Sequence, residues 1–116
     1  PHAVLFVDRP EELDLEQLGP CFEHHAAFPG GVNTEFVRCV SPDRLVMRVW
    51  ERGSGETLAC GTGACAALAA AVVQGKCGRQ AHVALPGGVL ELSWPAGGEM
   101  MMTGPANTVF EGEYPV

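Results

Sequence analysis

Residues 50–66 read Trp-Glu-Arg-Gly-Ser-Gly-Glu-Thr-Leu-Ala-Cys-Gly-Thr-Gly-Ala-Cys-Ala, or WERGSGETLACGTGACA. The period of the chain changes inside this stretch. Before it, Arg44–Glu51 (RLVMRVWE) has the mixed apolar and polar pattern of a long strand. After it, Ala64–Val73 is an unbroken block of Ala, Leu, Val and Cys closed by Gln74-Gly75. Alanine dominates that block, so helix propensity is high. A helix apolar on all sides is expected to be buried on all sides, with strands close to its small side chains.

Working outward, short elements alternate with turn residues. Ala3–Val7 is an apolar run too short for a helix and reads as a buried strand. Pro10-Glu11-Glu12 opens a short helix, with proline at its first position and carboxylates at the positive end of its dipole. Leu13, Leu15 and Leu18 line that helix, and Gly19-Pro20 is expected to end it. Cys21–Val32 reads as loop, Thr34–Val40 as strand, and Ser41-Pro42-Asp43 as turn. Beyond the central helix, Ala81–Leu85 and Val89–Trp94 flank the hairpin turn Pro86-Gly87-Gly88. Glu99–Thr103 and Val109–Glu113 complete the expected strands. The predicted fold class is α+β: short, mostly antiparallel strands wrapped around one buried central helix.

Composition narrows the function classes. The 116 residues are 47% hydrophobic and 18% charged, with formal net charge -7. That supports one domain with a real core, since disorder needs low hydrophobicity as well as charge. The acidic balance argues against nucleic acid and against an anionic membrane surface as partners. The longest apolar run is about half of the ~20 residues needed to cross a bilayer. Five cysteines, at 21, 39, 60, 65 and 77, cannot all pair within the chain, and none sits in a disulfide framework. Reduced thiols in a cytoplasmic protein are the simplest expectation. The start at Pro1, leading directly into an apolar strand, is expected to mark a piece of something longer.

The chemistry-bearing feature is a thiol at a helix start. The first N–H groups of a helix lack internal partners and carry partial positive charge. Gly61 and Gly63 allow a ligand close to the backbone, and Thr62 adds a hydroxyl. Such a terminus can hold a carboxylate or phosphate, and thiols placed there ionise more readily. Cys65 lies five residues along, roughly 140° around the helix from Cys60, and reads as an inert core residue. The glycines match neither a dinucleotide fingerprint nor a phosphate loop. Glu51 and Arg52 alone could be a solvated surface pair, and Glu56 and Thr57 read as structural. Cys21, His24 and His25 lack the partners of a four-ligand site, so no metal is expected. His2 and Asn33 have ordinary strand-head and turn roles as their simplest reading.

These residues resemble the C-terminal half of the diaminopimelate epimerase family. The ERGxGET and ACGTGACA segments carry the resemblance. Pro1-His2-Ala3-Val4 resembles the end of the family's Asn-Pro-His segment, and Phe28-Pro29 with Val32-Asn33 fits its Pro-x-x-x-Asn loop. Thr103-Gly104-Pro105-Ala106 and Val109-Phe110-Glu111-Gly112 fit its closing segment. The resemblance implies a cofactor-independent enzyme that interconverts LL- and meso-diaminopimelate in lysine biosynthesis. It implies two pseudo-symmetric domains, each giving one cysteine to the cleft between them. By that resemblance Cys60 is an acid/base thiol, and Glu51 and His2 tune the thiols. Gly61 and Thr62 bind the substrate α-carboxylate, Glu51 and Arg52 contact the substrate, and Asn33 binds its distal end. No second cysteine here has a Cys-Gly-Asn-Gly setting. Residues 1–116 are therefore expected to be the C-terminal domain, inactive without its N-terminal partner, with an exposed face that favours a homodimer. The alternatives are another pyridoxal-independent racemase or isomerase of the same fold, or a redox or metal thiol module.

Overall fold

The computed structural model describes residues 1–104. Its strands are β1 (His2–Phe6), β2 (Asn33–Ser41), β3 (Arg44–Glu51), β4 (Gly55–Thr57), β5 (Gln80–Leu85), β6 (Gly88–Ser93) and β7 (Met101–Thr103). Its helices are α1 (Leu15–Glu23) and α2 (Gly61–Val73), preceded by a single 3-10 turn at Pro10–Glu12. The strands form one mixed sheet in the order β1-β2-β3-β5-β6-β7, with β4 paired to the end of β3. The pairs β1–β2 and β3–β5 are parallel, and the other four are antiparallel. Each parallel pair needs a crossover, and each crossover contains one of the two helices.

The strand period assigns the two faces. Side chains two apart share a face. Val37, Leu45, Met47 and Val49 pack with Ala64, Ala67, Leu68 and Ala71 of α2. The alternate residues Phe36 and Trp50 pack with Leu15, Leu18 and Phe22 of α1. Strands β2 and β3 are thus covered on both sides, which is why their sequences lack a clean polar alternation.

Helix α2 departs from the expected all-round burial. Gly63, Ala64, Ala67, Leu68 and Ala71 are buried, whereas Val73 is 78% exposed and the opposite side is only partly covered. One sheet can cover only one side of a helix, and the alanines bring that side close to it. The helix begins at Gly61, directly after Cys60, as expected of a thiol at a helix start.

The expectations around residues 10–32 need a larger correction. Pro10–Glu12 is its own 3-10 turn, and α1 runs through Gly19-Pro20 instead of ending there. A Cβ on Gly19 would lie 2.1 Å from the Trp50 ring, so this glycine admits a neighbour's indole rather than capping a helix. Strand β4 was not expected from the sequence, and its Glu56 carboxylate accepts from Arg48 Nε and Nη2 at 2.7 and 2.8 Å. Arg48 Nη1 also donates to the carbonyls of Pro10 and Leu13, each at 2.8 Å. The expected strand at Val109–Glu113 lies outside the described residues. No helix among the described residues is long and apolar enough to cross a membrane.

Replacing Gly19 with alanine forces a methyl into the space of the indole. Overpacking of this kind costs about 1–3 kcal/mol. Urea unfolding of Gly19→Ala should show a loss in that range, and an unchanged midpoint would refute the tight packing of α1 on Trp50.

Candidate active site

Three strand ends and the start of α2 converge at one edge of the sheet. His2 begins β1 and is paired in register with Asn33, the first residue of β2. The neighbouring Thr34 is paired with Trp50, which places Asn33 beside the Glu51 end of β3. By the strand period, His2, Asn33 and Glu51 lie on the same face as the core residues Val4, Val37 and Val49, the face covered by α2. Cys60 caps that helix. Sequence separation had hidden this convergence, and parallel β1–β2 pairing produces it.

Cys60 is buried, and its extended backbone makes it the N-cap of α2. Its Sγ accepts from the Gly63 N–H at 3.3 Å and lies 3.6 Å from Thr62 Oγ1. Its carbonyl accepts from the Ala64 N–H at 2.9 Å, the first helical bond. The N–H groups of Gly61 and Thr62 precede that bond and have no helical acceptor, so they are oriented to meet an anion. Burial pushes Cys65, Cys39 and Cys77 up, and the Cys77 thiol donates to the Pro42 carbonyl at 3.0 Å. These remain packing residues.

Glu51 and Arg52 are held by neighbours rather than left as a loose surface pair. Thr57 Oγ1 donates to Glu51 Oε2, so Thr57, first read as structural, positions a site carboxylate. Asn33 Oδ1 accepts from the Arg52 backbone N–H at 2.7 Å, and Arg52 Nη1 donates to the Gly30 carbonyl at 3.1 Å. Gly31 has φ +84, and a Cβ there would lie 2.7 Å from Arg52 Cδ. This glycine therefore supplies both the left-handed backbone and the room for the arginine stem. Behind the turn, Glu23 accepts from Trp50 Nε1 at 2.8 Å and from the Gly53 N–H at 2.9 Å. These two bonds, the indole's first, hold the Glu23 carboxyl below its ordinary range. The last residue of α1 thus braces the Glu51–Arg52 turn.

Sequence reasoning missed Glu35. It is fully buried on β2, in the α2-facing row with Asn33 and Val37. Its Oε1 lies 2.6 Å from His2 Nδ1, and its Oε2 has no partner among the described residues. The only local signal was an acid next to the apolar pair Phe36-Val37 within a predicted strand. The Cys21, His24 and His25 set does not gather: Cys21 Sγ donates to the Gln17 carbonyl, and His25 Nδ1 accepts from Ala27. Among the described residues no three His, Cys, Asp or Glu side chains cluster as a metal site.

Comparison with known proteins gives the family. The diaminopimelate epimerase family model matches residues 1–109. The chain belongs to the diaminopimelate epimerase family. It is 57% identical over 112 residues to the diaminopimelate epimerase of Synechococcus elongatus, covering 97% of this chain and 40% of that protein. The Microcystis aeruginosa diaminopimelate epimerase is 54% identical over 117 residues, covering 100% of this chain and 42% of its own length. The chain therefore spans about two fifths of these relatives. A phenazine biosynthesis protein of the PhzF family from Bacillus anthracis shares the fold, with TM-score 0.58 and 21% identity over 85% of this chain and 33% of that one.

The buried Glu35 gives a pH signature. Burial, opposed by the bond to His2, raises its carboxyl from 4.5 to about 7. The folded chain then keeps a proton that the unfolded chain has released. The Glu35 contribution to stability is fully present below about pH 4.5 and is lost as pH rises through about 7. Glu23, lowered on folding, acts in the opposite sense and loses its contribution in acid. Between pH 5 and 7 the wild type should lose about 2 kcal/mol relative to Glu35→Gln. Parallel urea curves for the two proteins across that range would contradict it.

Proposed function

We propose that this chain is the C-terminal catalytic half of a cofactor-independent epimerase that interconverts LL- and meso-diaminopimelate. The observation that carries the reading is Cys60 Sγ at the N-cap of α2, beside the edge formed by His2, Asn33 and Glu51. In this scheme one thiolate removes the α-proton, and a thiol on the opposite face returns a proton, which inverts the centre. Cys60 is one of the two thiols. The second comes from an N-terminal domain, in keeping with the two-fifths coverage of the relatives.

An amino-acid α-hydrogen is very weakly acidic, so the carbanionic transition state needs fixed positive potential. The free N–H groups of Gly61 and Thr62 supply it at the α-carboxylate, without solvent reorganisation. Glu51 and His2 set the charge around the thiol. Arg52 and Asn33 define the outer part of the pocket, where the distal amino-carboxylate of the substrate binds. The Asn33 bond to the Arg52 backbone fixes the spacing between these two contacts.

The surface beside Cys60 fits a domain interface. Leu58 is 68% exposed and Met102 48%. Met102 Cε also lies 2.9 Å from the position of a Cβ on Gly61, at the mouth of the helix start. A second domain covering these side chains would exclude water from the thiols, and strands around α2 would then enclose it. Without that domain the same face favours pairing of two copies. The setting is cytoplasmic, where free thiols persist.

Joined to a matching N-terminal half, the chain should catalyse exchange of solvent deuterium into the diaminopimelate α-carbon. Cys60→Ser should lower that rate by at least roughly 100-fold. Full activity in the serine variant would remove Cys60 from the mechanism. The 116-residue chain alone should give no turnover.

A further inference from the structure

The scheme above assigns no task to Glu35, although it is the least accessible ionisable side chain in the site. It is the third residue of β2, paired in register with Val4 on one side and Val49 on the other. No solvent reaches it. An acid kept in such a place needs a compensating partner. His2 Nδ1 at 2.6 Å is that partner, and it leaves Oε2 unbonded among the described residues. A purely structural acid would be expected to satisfy both oxygens, as Glu23 does with Trp50 and Gly53.

Glu35 also lies against the thiol's helix turn. A Cβ added to Gly63 would lie 2.8 Å from Glu35 Oε1 and 3.1 Å from Cys60 Sγ. One oxygen therefore meets the His2 ring and the underside of the turn that donates to the Cys60 sulfur. The space a side chain would fill at position 63 is occupied by this carboxylate and that sulfur together.

We infer that Glu35 is a positioning residue for the proposed epimerase: it accepts the His2 Nδ1–H, fixes the ring beside the Cys60 end of α2, and presents Nε2 to the substrate side. This rests on the function proposed above. The arrangement follows a general rule for working histidines, in which a carboxylate on one ring nitrogen sets the tautomer and orientation of the other. Burial supports it, since water cannot compete for Nδ1. The titratable groups facing this carboxyl are His2 from β1 and Glu51 from β3.

Two measurements on the chain joined to its N-terminal half test the inference. In nitrogen-15 NMR at a pH well above 7, where the Glu35 carboxyl is ionised, the neutral His2 ring should carry its proton on Nδ1. A proton on Nε2 in the wild type overturns the proposal whether or not the protein is an epimerase. In steady-state α-hydrogen exchange, Glu35→Gln should lower kcat roughly 10–100-fold with KM changed less than about threefold. Once His2 is replaced by Gln, the same substitution should cost less than about threefold. An equal loss in both backgrounds would mean that Glu35 only supports the fold. Absence of exchange in the wild type defeats the epimerase reading, and the ring tautomer still decides the role of Glu35. If Glu35→Gln does not fold, Glu35→Asp keeps the charge but shortens the reach. It should lower kcat with the Nδ1 proton signal weakened, and wild-type kcat with Glu35→Asp would count against the inference.

Discussion

The first turn of α2 rests directly on β2, with no side chain at position 63 to hold them apart. A Cβ there would meet Glu35 and the Cys60 sulfur at once. This close approach ties the site together. It aims the Gly63 N–H at Sγ and brings the unpaired N–H groups of Gly61 and Thr62 to the sheet edge. It also lets a carboxylate on one strand reach a histidine on the next. The alanines at 64, 67 and 71 extend the same close contact along the helix. A larger residue at any of them would lift the helix, and with it the thiol.

The opposite face of the sheet serves the same edge. Helix α1 contributes no side chain to the candidate site, yet its last residue holds the Trp50 indole and the Gly53 backbone with one carboxylate. The indole packs against Gly19, so the turn carrying Glu51 and Arg52 is fixed from behind. Side chains on turns gain positional precision from such bracing. The two helices divide the work: α2 supplies the electrostatics and α1 supplies the rigidity.

Much of this was legible locally. Arg44–Glu51 was bounded correctly as a strand, and the turn at Pro86-Gly87-Gly88 joins β5 and β6 as its residues suggest. The helix start and its cysteine follow from glycine, propensity and dipole arguments alone. The reading failed where distant contacts overrode local rules. Gly19-Pro20 looks like a helix stop, but glycine is there to admit an indole 31 positions away in the chain. The all-apolar block suggests complete burial, but one sheet covers one side. Glu35 went unnoticed in a strand of mixed polarity, because its setting depends on a partner 33 residues away.

The amino-acid sequence by itself determined the alternation of strands and helices, the thiol at a helix start, and the family. Each depends on short-range order: the period of apolar residues, the φ freedom of glycine, and a specific run of adjacent residues. Only the tertiary structure decided which residues share the site. Parallel pairing of β1 with β2 sets His2 beside Asn33, and the β3–β5 crossover lays Cys60 against them. Register and crossover are long-range choices, set by which faces can be buried together, and no local pattern encodes them.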